Sequence, residues 1–204
     1  MPKPHIPLDE LRVQVDSCRR CPLCDGRTQM VFGVGNPHAR VMFIGEAPGK
    51  NEDLQGEPFV GAAGHYLNEL LGCAGLRRED VFIANVLKCR PPGNRDPRPE
   101  EIQTCTPYLR EQTRTIDPEV LVTLGKFSTQ FVLKTQVGIT RLHGRVQRAG
   151  KFLVFPVFHP AAALYDGAKR EALENDFVTL GQVLHQLDEQ KAKAAKEAQQ
   201  QNGQ

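Results

Sequence analysis

Apolar positions along the chain follow two periods. Short runs rich in β-branched and aromatic residues at 41–44, 81–86, 119–124 and 151–158 predict buried strands, the last alternating around Phe152, Val154 and Val157. A further short strand is predicted near 30–32, inside a turn-rich connection. Between these runs, apolar residues three and four apart predict helices at 8–15, about 63–74 (Leu67, Leu70, Leu71), 99–115, 125–133 and 169–187. Pro99 followed by Glu100 and Glu101 makes a good helix start, since proline suits the first turn and carboxylates favour the positive end of the dipole. Residues 137–148 read as irregular or hairpin structure. Residues 188–204 carry no apolar face and read as a fraying helix followed by disorder. Strands alternating with helices give βαβ units, hence an α/β protein with a parallel sheet covered by helices on both faces.

Composition narrows the class. The 204 residues suit one domain, placed at 1–187, and 40% hydrophobic with 25% charged residues is ordinary for a soluble globular protein. No apolar run approaches the ~18 residues of a membrane span, and MPKPHIPLDE lacks the apolar stretch of a signal peptide, so the expectation is a cytosolic protein with no membrane partner. The net charge of +2 is uninformative, but its distribution is uneven. Residues 141–170 hold six Lys/Arg against the single acid Asp166, and 88–98 hold four bases against Asp96. Residues 46–57 hold four acids and one base. Two basic segments flanking an acidic loop suit a polyanion lying around a pocket with its own carboxylates.

Six cysteines in such a chain suggest metal or redox chemistry before disulfides. Cys18-x2-Cys21 is a compact chelating pair, and Cys89 and Cys105 offer two more thiolates. Four thiolates suit a structural zinc or a [4Fe-4S] cluster. Cys24 also imitates the next step of a ferredoxin-like run, and Cys73 reads as a small buried thiol in an apolar helix. The turn GEAPGKN fails as a Walker A loop, being one residue short and followed by Asn51 instead of Ser or Thr. Glu46, Asn85 and His159 each stand at the C-terminal end of a different predicted strand, where open α/β sheets bind ligands.

GEAPG (45–49), GEPFVGAAG (56–64), NVLKCRPP (85–92) and FHPAAAL (158–164), with Cys18, Cys21 and Cys105, together resemble the family 4 uracil-DNA glycosylases over nearly the whole chain. The resemblance implies a three-layer α/β/α fold with a four-stranded parallel sheet and a [4Fe-4S] cluster on Cys18, Cys21, Cys89 and Cys105, leaving Cys24 and Cys73 without a role. It implies a DNA-repair enzyme, acting as a monomer on uracil-containing single- or double-stranded DNA. The uracil is flipped out of the stack and its N-glycosidic bond hydrolysed. Phe59 then stacks on the base, and Asn85 reads its N3–H and O4 edge. Gly45, Ala47 and Pro48 line the base site, while backbone amides near Glu46 and Ala47 join His159 in holding O2. Glu52 crowds C5 against thymine's methyl group. Many relatives in the wider superfamily carry Asp or Asn where this chain has Ala47, which leaves Glu46 to position the water. Leu164 or Tyr165 fills the gap left by the flipped base, with Arg90, Arg95, Arg98, Lys169 and Arg170 on phosphates. A second class also fits the residues: an iron–sulfur or zinc protein that binds damaged DNA without cleaving it.

Overall fold

Each of the four long apolar runs becomes a strand, and the four lie side by side and parallel. The computed structural model describes residues 5–202. Its sheet comprises β1 (Val34–Gly35), β2 (Val41–Gly45), β3 (Phe82–Asn85), β4 (Val120–Leu124), β5 (Gln147–Ala149) and β6 (Phe152–Val157), in the spatial order β1-β3-β2-β4-β6-β5. β3, β2, β4 and β6 form the parallel centre, while β1 and β5 pair antiparallel at the two edges. The expected four-stranded sheet is therefore the middle of a six-stranded one. The edges escape a reading of apolar runs because β1 is only two residues long and β5 three, neither with a buried residue.

The strand expected at 30–32 lies instead at Val34–Gly35. Met30, Val31 and Phe32 are buried, but as an irregular segment. Pairing begins where glycine permits close approach. Gly35 has φ +127°, and a side-chain carbon there would stand 1.9 Å from the Val81 carbonyl oxygen.

Nine α-helices and two short 3-10 helices (Arg78–Asp80 and Pro92–Asn94) complete the described residues; the α-helices are α1 (Leu8–Asp16), α2 (Leu23–Gly26), α3 (Lys50–Gln55), α4 (Ala62–Cys73), α5 (Pro99–Ile116), α6 (Lys126–Leu133), α7 (Ile139–Leu142), α8 (Pro160–Ala163) and α9 (Gly167–Asn202). The segment expected to be irregular or a hairpin divides into α7 and then β5, which hairpins onto β6. Alternation along the strands splits the core into two layers. Phe43, Ile83, Val122 and Phe155 pack against Leu67 and Leu70 of α4 and Phe177 of α9. Met42, Phe82, Leu121 and Val154 face Leu11 of α1 and Leu109 of α5. Each such side chain contributes roughly 1.5–3 kcal/mol by leaving water.

The segment after 187, expected to be a fraying helix that gives way to disorder, is helical to Asn202, and residues 203–204 lie outside the described residues. Ala, Lys, Gln and Glu dominate it, and these have high helix propensity. Arg40 meets Asp188 at 2.6 Å and Lys191 meets Glu119 at 2.5 Å, tying the helix to the opposite end of the sheet from the functional residues.

Candidate active site and thiol pocket

The sheet brings the three strand-end groups together. Glu46, Phe59, Asn85 and His159 line one cleft of about 460 Å³, with Ala47, Pro48 and Glu52 in its wall. A larger, mostly apolar cavity of about 800 Å³ lies between α5 and α6, lined by none of these groups.

Asn85 is the last residue of β3 and pairs in register with Gly45, the last of β2. It is 2% exposed, and its Oδ1 is buried with no hydrogen-bond partner among the described residues. Such an orphaned acceptor is uncommon and points to a missing partner. Gly45 lies under the cleft, where a side-chain carbon would stand 2.3 Å from that Oδ1 and 2.8 Å from the Phe59 ring.

Phe59 is held in an unusual conformation. Its φ is +54°, a left-handed value that costs a non-glycine residue roughly 1–3 kcal/mol unless its surroundings enforce it. Two contacts enforce it here. Glu52 Oε1 accepts the N–H groups of Val60 and Gly61, both at 3.0 Å, and Gly64 leaves room for the Phe59 carbonyl. The ring stacks on His159 with centroids 5.7 Å apart and planes 29° apart.

His159 follows β6 and caps α8. Its Nδ1 accepts the Ala161 N–H at 3.1 Å, so in the neutral ring the proton resides on Nε2. Burial pushes its pKa down to about 4, with Glu52 pulling weakly the other way, so the imidazole is neutral at pH 7. Burial pushes the Glu46 carboxyl up, and the charge of Asp96 adds to the shift.

The thiols form a second site behind the first. Cys18, Cys21, Cys89 and Cys105 line one enclosed pocket, and Cys24 joins them. Lys88 donates its backbone N–H to Cys105 Sγ at 3.3 Å, and Arg27 donates to Cys89 Sγ at 3.2 Å. Burial pushes Cys105 up to about 11 and raises Cys89 as well, shifts that a bound cationic metal would reverse. Among the described residues no three His, Cys, Asp or Glu side chains converge as a single ion requires. The thiols surround a space instead of meeting at a point. Cys73, expected to be buried, is exposed, its Sγ 3.7 Å from the Glu69 carbonyl.

The family model described as the Uracil DNA glycosylase superfamily matches residues 32–180. The chain belongs to this superfamily. It is 50% identical over 184 residues to the Type-4 uracil-DNA glycosylase of Archaeoglobus fulgidus, covering 86% of this chain and 92% of that one. The Type-4 enzyme of Saccharolobus solfataricus is 46% identical over 188 residues, covering 87% and 86%, and that of Sulfurisphaera tokodaii 46% over 179 residues, covering 83% and 81%.

Within this superfamily member the basic side chains differ in availability. Lys88, counted in the basic loop from sequence, is 1% exposed and cannot face a nucleic acid. Arg95 lines the cleft but is bound to the buried Glu101 by contacts of 2.5 and 2.9 Å. Arg90 holds Asn94 Oδ1 at 2.7 Å, whereas Arg98 is exposed at the start of α5. Lys169 pairs with Asp166 at 2.7 Å, and the Arg170 guanidinium lies 4.6 Å from the Tyr66 ring centroid. Leu164 packs against the core, while Tyr165 is 96% exposed. Asn94, Asp96 and Ala161 also line the cleft, although sequence reading did not single them out as site residues. Only their place close after the strand ends could have signalled them.

Proposed function

We propose that this chain is a uracil-DNA glycosylase, which extrudes uracil from DNA and hydrolyses its N-glycosidic bond, releasing free uracil and leaving an abasic site. The observation that carries this reading is the buried, unpartnered Oδ1 of Asn85 beside the Phe59–His159 stack. A flipped base stacks on Phe59, and Asn85 offers an acceptor for N3–H and a donor for O4. Cytosine presents the opposite pattern, so it would leave buried polar groups unpaired. The neutral His159 donates Nε2–H toward O2, where negative charge grows as the base departs. A neutral donor suits this role, because its hydrogen bond strengthens with that charge and the imidazole need not be desolvated as a cation in the ground state. Glu46 positions the attacking water, and Glu52, fixed on the Val60 and Gly61 amides, forms the wall that excludes a C5 methyl group.

The thiol pocket fits a [4Fe-4S] cluster held by Cys18, Cys21, Cys89 and Cys105. Four thiols lining one pocket suit either a zinc ion or the cluster, and the resemblance to the family 4 enzymes favours the cluster. When bound, the cluster clamps the loop from Lys88 to Arg98 to α5. Tyr165 is the residue exposed enough to fill the gap left by the base, with Arg90, Arg98, Lys169 and Arg170 on flanking phosphates.

Incubating the protein with uracil-containing single- and double-stranded DNA tests the proposal. Free uracil and abasic DNA are expected. Tight binding without release would instead identify a damage-recognition protein.

A further inference from the structure

Lys88 stands between the two sites: it lines the thiol pocket and reaches back to the end of β3. It is 1% exposed and ranks among the largest fully buried side chains of the protein. Taking an ammonium out of water is costly unless charge and hydrogen bonds compensate it. Its Nζ donates to the backbone oxygen of Asn85 at 2.9 Å and to Gln112 Oε1 at 2.6 Å. Both acceptors are neutral, and no carboxylate pairs with it among the described residues. The nearby groups able to carry negative charge are the thiols of Cys89 and Cys105. Arg27, which is partly exposed, donates to Cys89, whereas Lys88 is the fully buried cation of the pocket.

The backbone of the same residue is equally committed. Its N–H donates to Cys105 Sγ at 3.3 Å, and its carbonyl accepts the Val31 N–H at 2.8 Å. Gln112, the second acceptor for Nζ, also donates to the Phe32 carbonyl at 2.8 Å. One residue thus touches a cysteine through its main chain and the carbonyl of the base-reading residue through its side chain.

We propose that Lys88 is a positioning residue that couples the two sites: its buried ammonium balances the negative charge of a group held by Cys89 and Cys105 while gripping the Asn85 carbonyl. Filling the thiol pocket then fixes the amide that reads the base. The inference rests on the glycosylase reading for its catalytic half only. An unbranched side chain of similar length could fill the same space, so packing alone does not require a lysine here. The ammonium supplies the charge and the donors.

The test is Lys88→Met, purified without air beside the wild type. It is read by iron content, by the lifetime of the visible absorbance in air, by duplex affinity and by single-turnover uracil release. The variant should retain iron but bleach several-fold faster, and it should release uracil about tenfold more slowly at unchanged duplex affinity. Wild-type bleaching together with wild-type release would overturn the proposal. If Lys88→Met does not fold, Gln112→Leu decides: it keeps the ammonium and removes one anchor, so release should slow several-fold while the bleaching time stays that of the wild type. A wild-type release rate in Gln112→Leu would then sink the coupling. Absence of uracil release from the wild type would overturn the glycosylase reading instead, and the bleaching times would still decide the charge role of Lys88.

Discussion

Gly45 and Asn85 end neighbouring parallel strands as register partners, and only the absence of a side chain on Gly45 leaves room for the Asn85 amide. A Cβ there would stand 2.3 Å from Asn85 Oδ1 and 2.8 Å from Phe59. Gly45→Ala should therefore push the amide and the ring out of place together. The expected cost is roughly 1–3 kcal/mol of stability, as for other overpacked sites. Uracil release should fall by more than that loss of folded protein explains. Thermal unfolding and single-turnover release of the folded variant check this, and normal release would mean that the strand ends tolerate the extra carbon.

Asn85→Asp replaces the donor to O4 with an acceptor. Uracil release should fall about a hundredfold, or ~2–3 kcal/mol of transition-state stabilisation, as for one preorganised polar contact. Iron content should be unchanged, and the introduced carboxyl, when protonated, can support weak cytosine release. Single-turnover assays on U- and C-containing duplexes measure both, and near-normal uracil release would remove Asn85 from base reading.

His159 is half-buried and neutral, with its pKa lowered from 6.5 to about 4 by desolvation. Between these values the unfolded chain binds the proton more readily than the folded one. Stability from this group is fully present above pH 6.5 and is lost as pH falls toward 4. His159→Gln should flatten that part of the Tm-against-pH curve. Parallel curves for variant and wild type between about pH 6.5 and 4.5 would show that the imidazole titrates normally.

The thiol pocket predicts brown protein with about four iron atoms per chain. Cys89→Ser should lose the iron and much of the folded protein. Cys24→Ser should keep both, because Cys24 shares the pocket only as a fifth thiol, with Asp25 Oδ1 3.4 Å from its sulfur. Stoichiometric zinc in protein prepared without air and with iron available would refute the cluster.

Arg98 and Arg95 should behave differently although both lie in the basic loop. Arg98→Ala should weaken DNA binding regardless of sequence and lower the salt slope by about one. Arg95→Ala should instead destabilise the fold, since it takes the only charged partner of the buried Glu101 among the described residues and leaves it with the Arg98 N–H. Equal salt slopes for Arg98→Ala and the wild type would take the start of α5 out of the DNA interface.

The amino-acid order alone determined the parallel centre of the sheet and its covering helices, because apolar period follows directly from backbone geometry. It also marked Glu46, Asn85 and His159, since strand ends can be read from where apolar runs stop. What it could not supply depends on partners distant in the chain. β1 and β5 exist only through pairing with β3 and β6, and their own residues carry no apolar signal. Lys88 looked like a base for DNA because local charge does not reveal burial, which Gln112 and the Asn85 carbonyl make possible. Leu164 and Tyr165 are adjacent, yet the leucine packs against the core and the tyrosine is exposed, a difference that local sequence does not reveal. The same holds for Cys73, whose helix turns it outward although its neighbours Leu70 and Leu71 are buried. Burial and hydrogen-bond satisfaction are properties of the assembled chain, so the tertiary structure alone decided which of the legible residues face the cleft.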